Sequence, residues 1–117
     1  MTIYQRLAEI FRAADIPGFL NYWRKSTEYP EVPAMFCTYV VTQERDALCA
    51  DDIELIHQYN ITIRMYGKGD LTAAHERLRL TLLANCFPIV RQSNLADIYS
   101  GEWRYCKRID ALYIEEV

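Results

Sequence analysis

Asp51 and Asp52 are adjacent carboxylates, the first residues in this chain whose types suggest chemistry. A general acid–base pair needs two carboxyls that converge on one proton. Neighbours on an extended chain point to opposite sides, so this pair does not supply one. The four cysteines (Cys37, Cys49, Cys86, Cys106) and two histidines (His57, His75) form no C-x-x-C and no zinc-ligand spacing. No Cys–His–acid order stands out that would activate a thiol. Gly67-Lys68-Gly69 lacks the G-x-x-x-x-G-K-[ST] frame of a phosphate loop, and there is no serine elbow or glycine-rich nucleotide fingerprint. The expectation is a non-enzyme with no metal and no cofactor. The thiols are expected to be reduced, with Cys37 and Cys106 as small core residues inside strands.

Charge says more than any motif. The formal net charge is −3, a poor match to a nucleic-acid-wrapping domain. The distribution is uneven: from Ser26 to Ile56 there are seven acids and one base, Arg45. From Tyr59 to the C-terminus eight bases balance seven acids. Glu44, Asp46, Asp51 and Asp52 fall in a polar stretch, Gln43 to Asp52, that reads as a loop. Such a loop either keeps the surface hydrated or forms a docking face for a basic partner or the next subunit.

The elements that would position these residues follow from hydrophobic period. Thr2 to Ala14 predicts an amphipathic helix with Ile3, Leu7, Ile10, Phe11 and Ala14 on one stripe. Thr2 and Gln5 have capping-box spacing, and Asp15-Ile16-Pro17-Gly18 stops the helix. Gly18 to Pro33 reads as a long connection whose aromatics pack on the core. Ala34 to Thr42 predicts a strand, and Ile53 to Tyr66 a second strand of clean period two, with His57 on its apolar side. Asp70 is placed to cap a helix over Leu71 to Asn85, its stripe being Leu71, Ala74, Leu78 and Leu82, widened by Leu80 and Leu83. Arg77 and Arg79 are expected merely to solvate it. Short strands over Phe87–Arg91 and Leu95–Tyr99 flank a turn at Ser93-Asn94. Ser100-Gly101 then turns into a long strand, Glu102 to Glu116.

Without repeated strand–helix alternation, this order predicts an α+β fold: a mostly antiparallel sheet with two helices packed on one face, in a single domain over residues 1–117. No apolar run reaches a membrane span and no signal-peptide core is present, so the chain is expected to be intracellular.

Several runs carry a family resemblance: Pro33-Ala34-Met35-Phe36-Cys37-Thr38-Tyr39, Ala50-Asp51-Asp52, and Ile61 to Tyr66 followed by Gly67-Lys68-Gly69-Asp70. With the helix bearing Glu76 and Leu83 and the closing hairpin, the stretch Pro33 to Glu116 resembles the tail-terminator (tail-completion) proteins of long-tailed bacteriophages and prophages. Phe19 to Tyr29 departs from the shorter linker expected there, and neighbouring head–tail connector proteins share a similar fold. The resemblance implies a structural protein that forms a six-fold ring, caps the tail tube, stops its polymerisation and presents a surface to the head connector. Its implied partners are its own copies, the tube protein and the head-connector protein, with no membrane and no sequence-specific nucleic acid. Its implied place is the virion tail, assembled in the bacterial cytoplasm. An acidic loop facing the channel would repel DNA and ease its passage.

Two other classes stay open on the residues alone. Tyr22, Trp23, Trp103 and Tyr105 could line the pocket of a small dimeric ligand-binding or regulatory domain. The same kind of aromatic sheet, with Arg104, Lys107 and Arg108, could stack single-stranded nucleic acid.

Overall fold

The computed structural model describes residues 2–23, 26–50, 53–99 and 102–116, with strand segments 45–50, 53–55, 95–99, 102–105 and residue 116 described by backbone alone. Helix α1 (Ile3–Ala14) begins at a capping box: the Gln5 N–H donates to Thr2 Oγ1 at 3.2 Å, and the Thr2 N–H donates to Gln5 Oε1 at 2.8 Å. It ends at Asp15, whose left-handed φ of 57° is a conformation short polar side chains tolerate. Its buried residues are Ile3, Leu7, Ile10, Phe11 and Ala14, the stripe read from the sequence. The chain then forms β1 (Gly18–Leu20), β2 (Met35–Ala50), β3 (Ile53–Gly67), α2 (Thr72–Ala84), β4 (Ile89–Tyr99) and β5 (Glu102–Glu116). The strands make one sheet in the order β1-β2-β3-β5-β4, antiparallel except for the short β1–β2 pair. The fold is α+β, with the helices packed on one face of the sheet.

The core lies between helices and sheet. Leu7, Ile10 and Phe11 of α1 and Ala74, Leu78 and Leu82 of α2 close over Cys37, Tyr39, Ile61, Ile63, Met65 and Ile109. Phe11 stacks on Tyr39 at 5.0 Å, and a Cβ at Gly18 would meet the Phe11 ring at 2.5 Å, so β1 can approach α1 this closely only through glycine. Arg77 does more than solvate α2: its Nε donates to the Ala14 carbonyl at 3.1 Å, placing a cation at the negative end of α1. Leu80 and Leu83 are 53% and 45% exposed and do not widen the buried stripe, which stays with Ala74, Leu78 and Leu82. Asp70 stands one residue outside the helix cap, yet its Oδ1 accepts from the Thr72 N–H at 2.9 Å and from Thr72 Oγ1 at 2.6 Å. Those bonds hold its carboxyl below the usual range.

Three expectations are corrected. Residues 43 to 50 are strand and not loop, because β2 continues and pairs with β3 to Ala50. Pairing with β3 satisfies their backbone groups whatever the polarity of their side chains. The two short strands expected after Phe87 are one, β4, because Ser93 and Asn94 pair with Arg108 and Lys107. The connection contains β1, and its Phe19 and Trp23 pack on the far face of the sheet and not on the main core, while Tyr22 is exposed. There Phe19, Trp23 and Val32 lie against buried Phe36, Tyr66 and Cys106, in a cluster separate from the main core.

The long strands give the molecule its shape. The β2–β3 hairpin outruns β5 at one end, where the last rung is Ile56 opposite Glu116. The β4–β5 hairpin outruns β3 at the other, where the last rung is Gly67 opposite Tyr105. The radius of gyration is 15.3 Å, with extents of 52 × 29 × 24 Å. A compact chain of this length would have about 13 Å. Among the described residues, no helix is long and apolar enough to cross a membrane.

His75, half-buried on α2, carries a pH dependence. Burial holds its imidazole below the ordinary histidine value; Lys107 and Arg79 push the same way, while Glu76 and a hydrogen bond with Gln92 oppose them. The native side chain therefore binds a proton less readily than the unfolded one. Stability from this group is fully present above the unfolded value of about 6.5. It is lost as pH falls through that value towards the lowered native one. Melting curves between pH 7.5 and 5 are expected to show a fall in midpoint, and His75→Gln is expected to reduce it.

Candidate functional site

Among the described residues, the chain's own aromatics cover the far face of the sheet only at the Phe36–Tyr66–Cys106 end. Beyond that cover it is open, and the register sets its residues in rows. Thr38, Arg64, Arg108 and Ser93 form one row across four strands. Val40, Thr62, Asp110 and Arg91 form the next, and Asn60 and Leu112 lie in the one after. Two adjacent depressions, about 170 and 280 Å³, share Thr42, Thr62 and Arg108 as lining.

Asp110 is the electrostatic centre of this face. Its Oδ1 accepts from Thr62 Oγ1 at 3.0 Å and from Arg108 Nε at 3.2 Å, and its Oδ2 lies 3.4 Å from Arg91 Nε. Arg64 stands directly opposite Arg108 in the register. Like charges in directly opposed cross-strand positions destabilise a sheet. Arg108 has Asp110 to offset this, whereas Arg64 is exposed and makes no ion pair among the described residues. Exposed Val90 and half-buried Leu112 add apolar surface beside Arg91 and Arg108, and exposed Ile114 lies further along the same face. Arginine beside apolar side chains, with little lysine or glutamate, is the composition of an interaction surface.

The opposite face of the β2–β3 arm is acidic. A bulge between Val41 and Gln43 shifts the register, so Glu44 faces Tyr59 and Asp46 faces His57. Tyr59 packs on the helix-side core, which puts exposed Glu44 on that side of the sheet. Glu115 pairs with His57 from β5 on the same side. Arg6 of α1 lies over Tyr113, at 5.2 Å from the ring centre, and bounds this acidic row. Of the four acids singled out in the sequence, Glu44 is exposed on the arm and position 46 follows it in the strand. Asp51 and Asp52 lie outside the described residues. The Trp103, Arg104 and Tyr105 side chains also lie outside them, while Tyr22 is 54% exposed and Trp23 packs in the far-face cluster.

Sequence reasoning missed the arginine face. Arg64 and Arg108 could be placed on the wet parity of their strands, but their opposition depends on the β3–β5 register. The bulge that separates Glu44 from that face leaves no mark in a polar stretch without alternation. Elsewhere the chemistry is quiet. Among the described residues no three His, Cys, Asp or Glu side chains gather as a metal site. Cys37 and Cys86 are free thiols, and burial first, then Cys106, pushes the Cys37 thiol well up. A reactive thiolate needs the opposite shift.

What these features define is an α+β sheet with one arginine-bearing face left open and an acidic arm turned the other way. No protein-family model and no curated protein matches this chain.

Proposed function

We propose that the chain is a structural assembly protein of a long-tailed bacteriophage or prophage, capping the tail tube as a ring of six copies. In this role it stops tube growth and offers the head-joining surface. The family resemblance of Pro33 to Glu116 supports the role. The observation that carries it is the pair of unlike faces on one sheet: arginines 64, 91 and 108 around Asp110 on one side, and Glu44 with Glu115 on the other. A closed ring is built from such heterologous contacts, in which each copy offers one patch and receives on another. The test is addition of the purified chain to polymerising tail-tube protein of long-tailed phages. Tubes are expected to stop at shorter lengths with a terminal ring, and unchanged tube growth would contradict the role.

One observation favours a second reading, a ligand-binding domain. A cavity of about 460 Å³ is lined by Gly69, Asp70, Leu71, Thr72, Asn94, Cys106 and Lys107. That volume suits a small molecule. A small-molecule panel that raises the melting temperature, together with unaltered tube growth, would favour this reading.

A further inference from the structure

We infer that copies of this chain join front to back, the acidic helix-side face of one β2–β3 arm docking on the open arginine face of the next copy. The inference rests on the assembly role proposed above and names the surfaces that carry it.

The arginine face is unfinished as it stands. Arg64 and Arg108 oppose each other across a rung, and the one carboxylate beside them among the described residues, Asp110, is already engaged by Thr62, Arg108 and Arg91. An anionic group from outside would relieve that repulsion. The complementary charge sits on the same chain but cannot reach. Glu44 and Glu115 belong to rungs that face the helix side of the sheet. The bulge after Val41 keeps Glu44 there; with regular alternation it would share the face of Thr38 and Val40. A carboxylate and an arginine on opposite faces of one sheet cannot pair within a copy, but they can pair between copies. Because the two patches differ, each contact leaves one of each kind free, and assembly continues until a ring closes. Val90 and Leu112 supply apolar contact beside the ion pairs, where partial desolvation strengthens them.

The test uses the full chain in sedimentation velocity over a concentration series, at low and high salt. Wild type is expected to self-associate, and to do so less in high salt. Arg64→Glu is expected to weaken association at least tenfold with the melting temperature unchanged or raised, since it turns a like-charge rung into an opposite-charge one. A Glu44→Arg, Glu115→Arg double variant is expected to weaken it similarly. An equimolar mixture of the two variants is expected to associate again, through arms and faces of restored complementarity. Association of Arg64→Glu at wild-type strength, or a mixture as weak as its components, overturns the front-to-back contact and leaves the capping role standing. A wild type that stays monomeric throughout overturns it too, and the capping role then stands or falls on tube growth alone. A monomer that binds an oligonucleotide through Arg64 overturns it in favour of nucleic acid as the occupant.

Discussion

Phe36→Ala is expected to cost about 3–5 kcal/mol of stability, the range for removing a fully buried phenylalanine. Phe36 is completely buried, stacks on Tyr66 at 5.3 Å and meets Phe19 edge-on at 6.1 Å. Trp23 and Val32 pack on the same small cluster. The ring therefore does two things: it fills the far-face core and latches the Phe19–Val32 segment onto the sheet. For a chain of this length the melting midpoint should drop by roughly 10–20 °C. Urea unfolding checks the free energy directly. A loss under about 1 kcal/mol would mean that the segment is held by something other than Phe36.

The second large effect is expected at Asp110, whose side chain is 17% exposed. Asp110→Ala deprives the Thr62 hydroxyl of its acceptor, strips Arg108 and Arg91 of their anion, and leaves the Arg64–Arg108 rung without any offset. Hydrogen bonds to a charged group contribute about 1.5–3 kcal/mol each in buried settings. Arg91 is 74% exposed and Arg108 38%, so solvent screens part of this, and a total loss of about 2 kcal/mol is expected. The same change creates a surface short of negative charge. Added sulfate should therefore raise the melting temperature of Asp110→Ala more than that of wild type. Equal stabilisation of both would show that the three arginines are independent, solvated charges and not one electrostatic unit.

How much of this could be read from sequence depended on whether a feature is local. The capping box at Thr2 and Gln5 and the stripe of α1 are short-range patterns, and the structure has them residue for residue. The period-two pattern of β3 is equally local, and the strand runs from Ile53 to Gly67. Residues 43–50 were misread because composition reports burial, whereas pairing with β3 needs only the backbone. Leu80 and Leu83 were misread because the seven apolar residues of α2 exceed what one buried stripe holds; the surplus faces out. The arginine face was beyond reach for a different reason. Arg64 and Arg108 are 44 residues apart in sequence, and only the pairing register sets them side by side.

The most direct measurement on the assembly role is mass by light scattering across a concentration series, with negative-stain images of the same fractions. The expected species is a closed six-fold ring of about 83 kDa, six times the 13.8 kDa chain. A two-fold dimer whose mass does not change with concentration would contradict the role, because a closed two-fold contact uses one self-complementary patch and leaves no unlike surface from which a ring could grow.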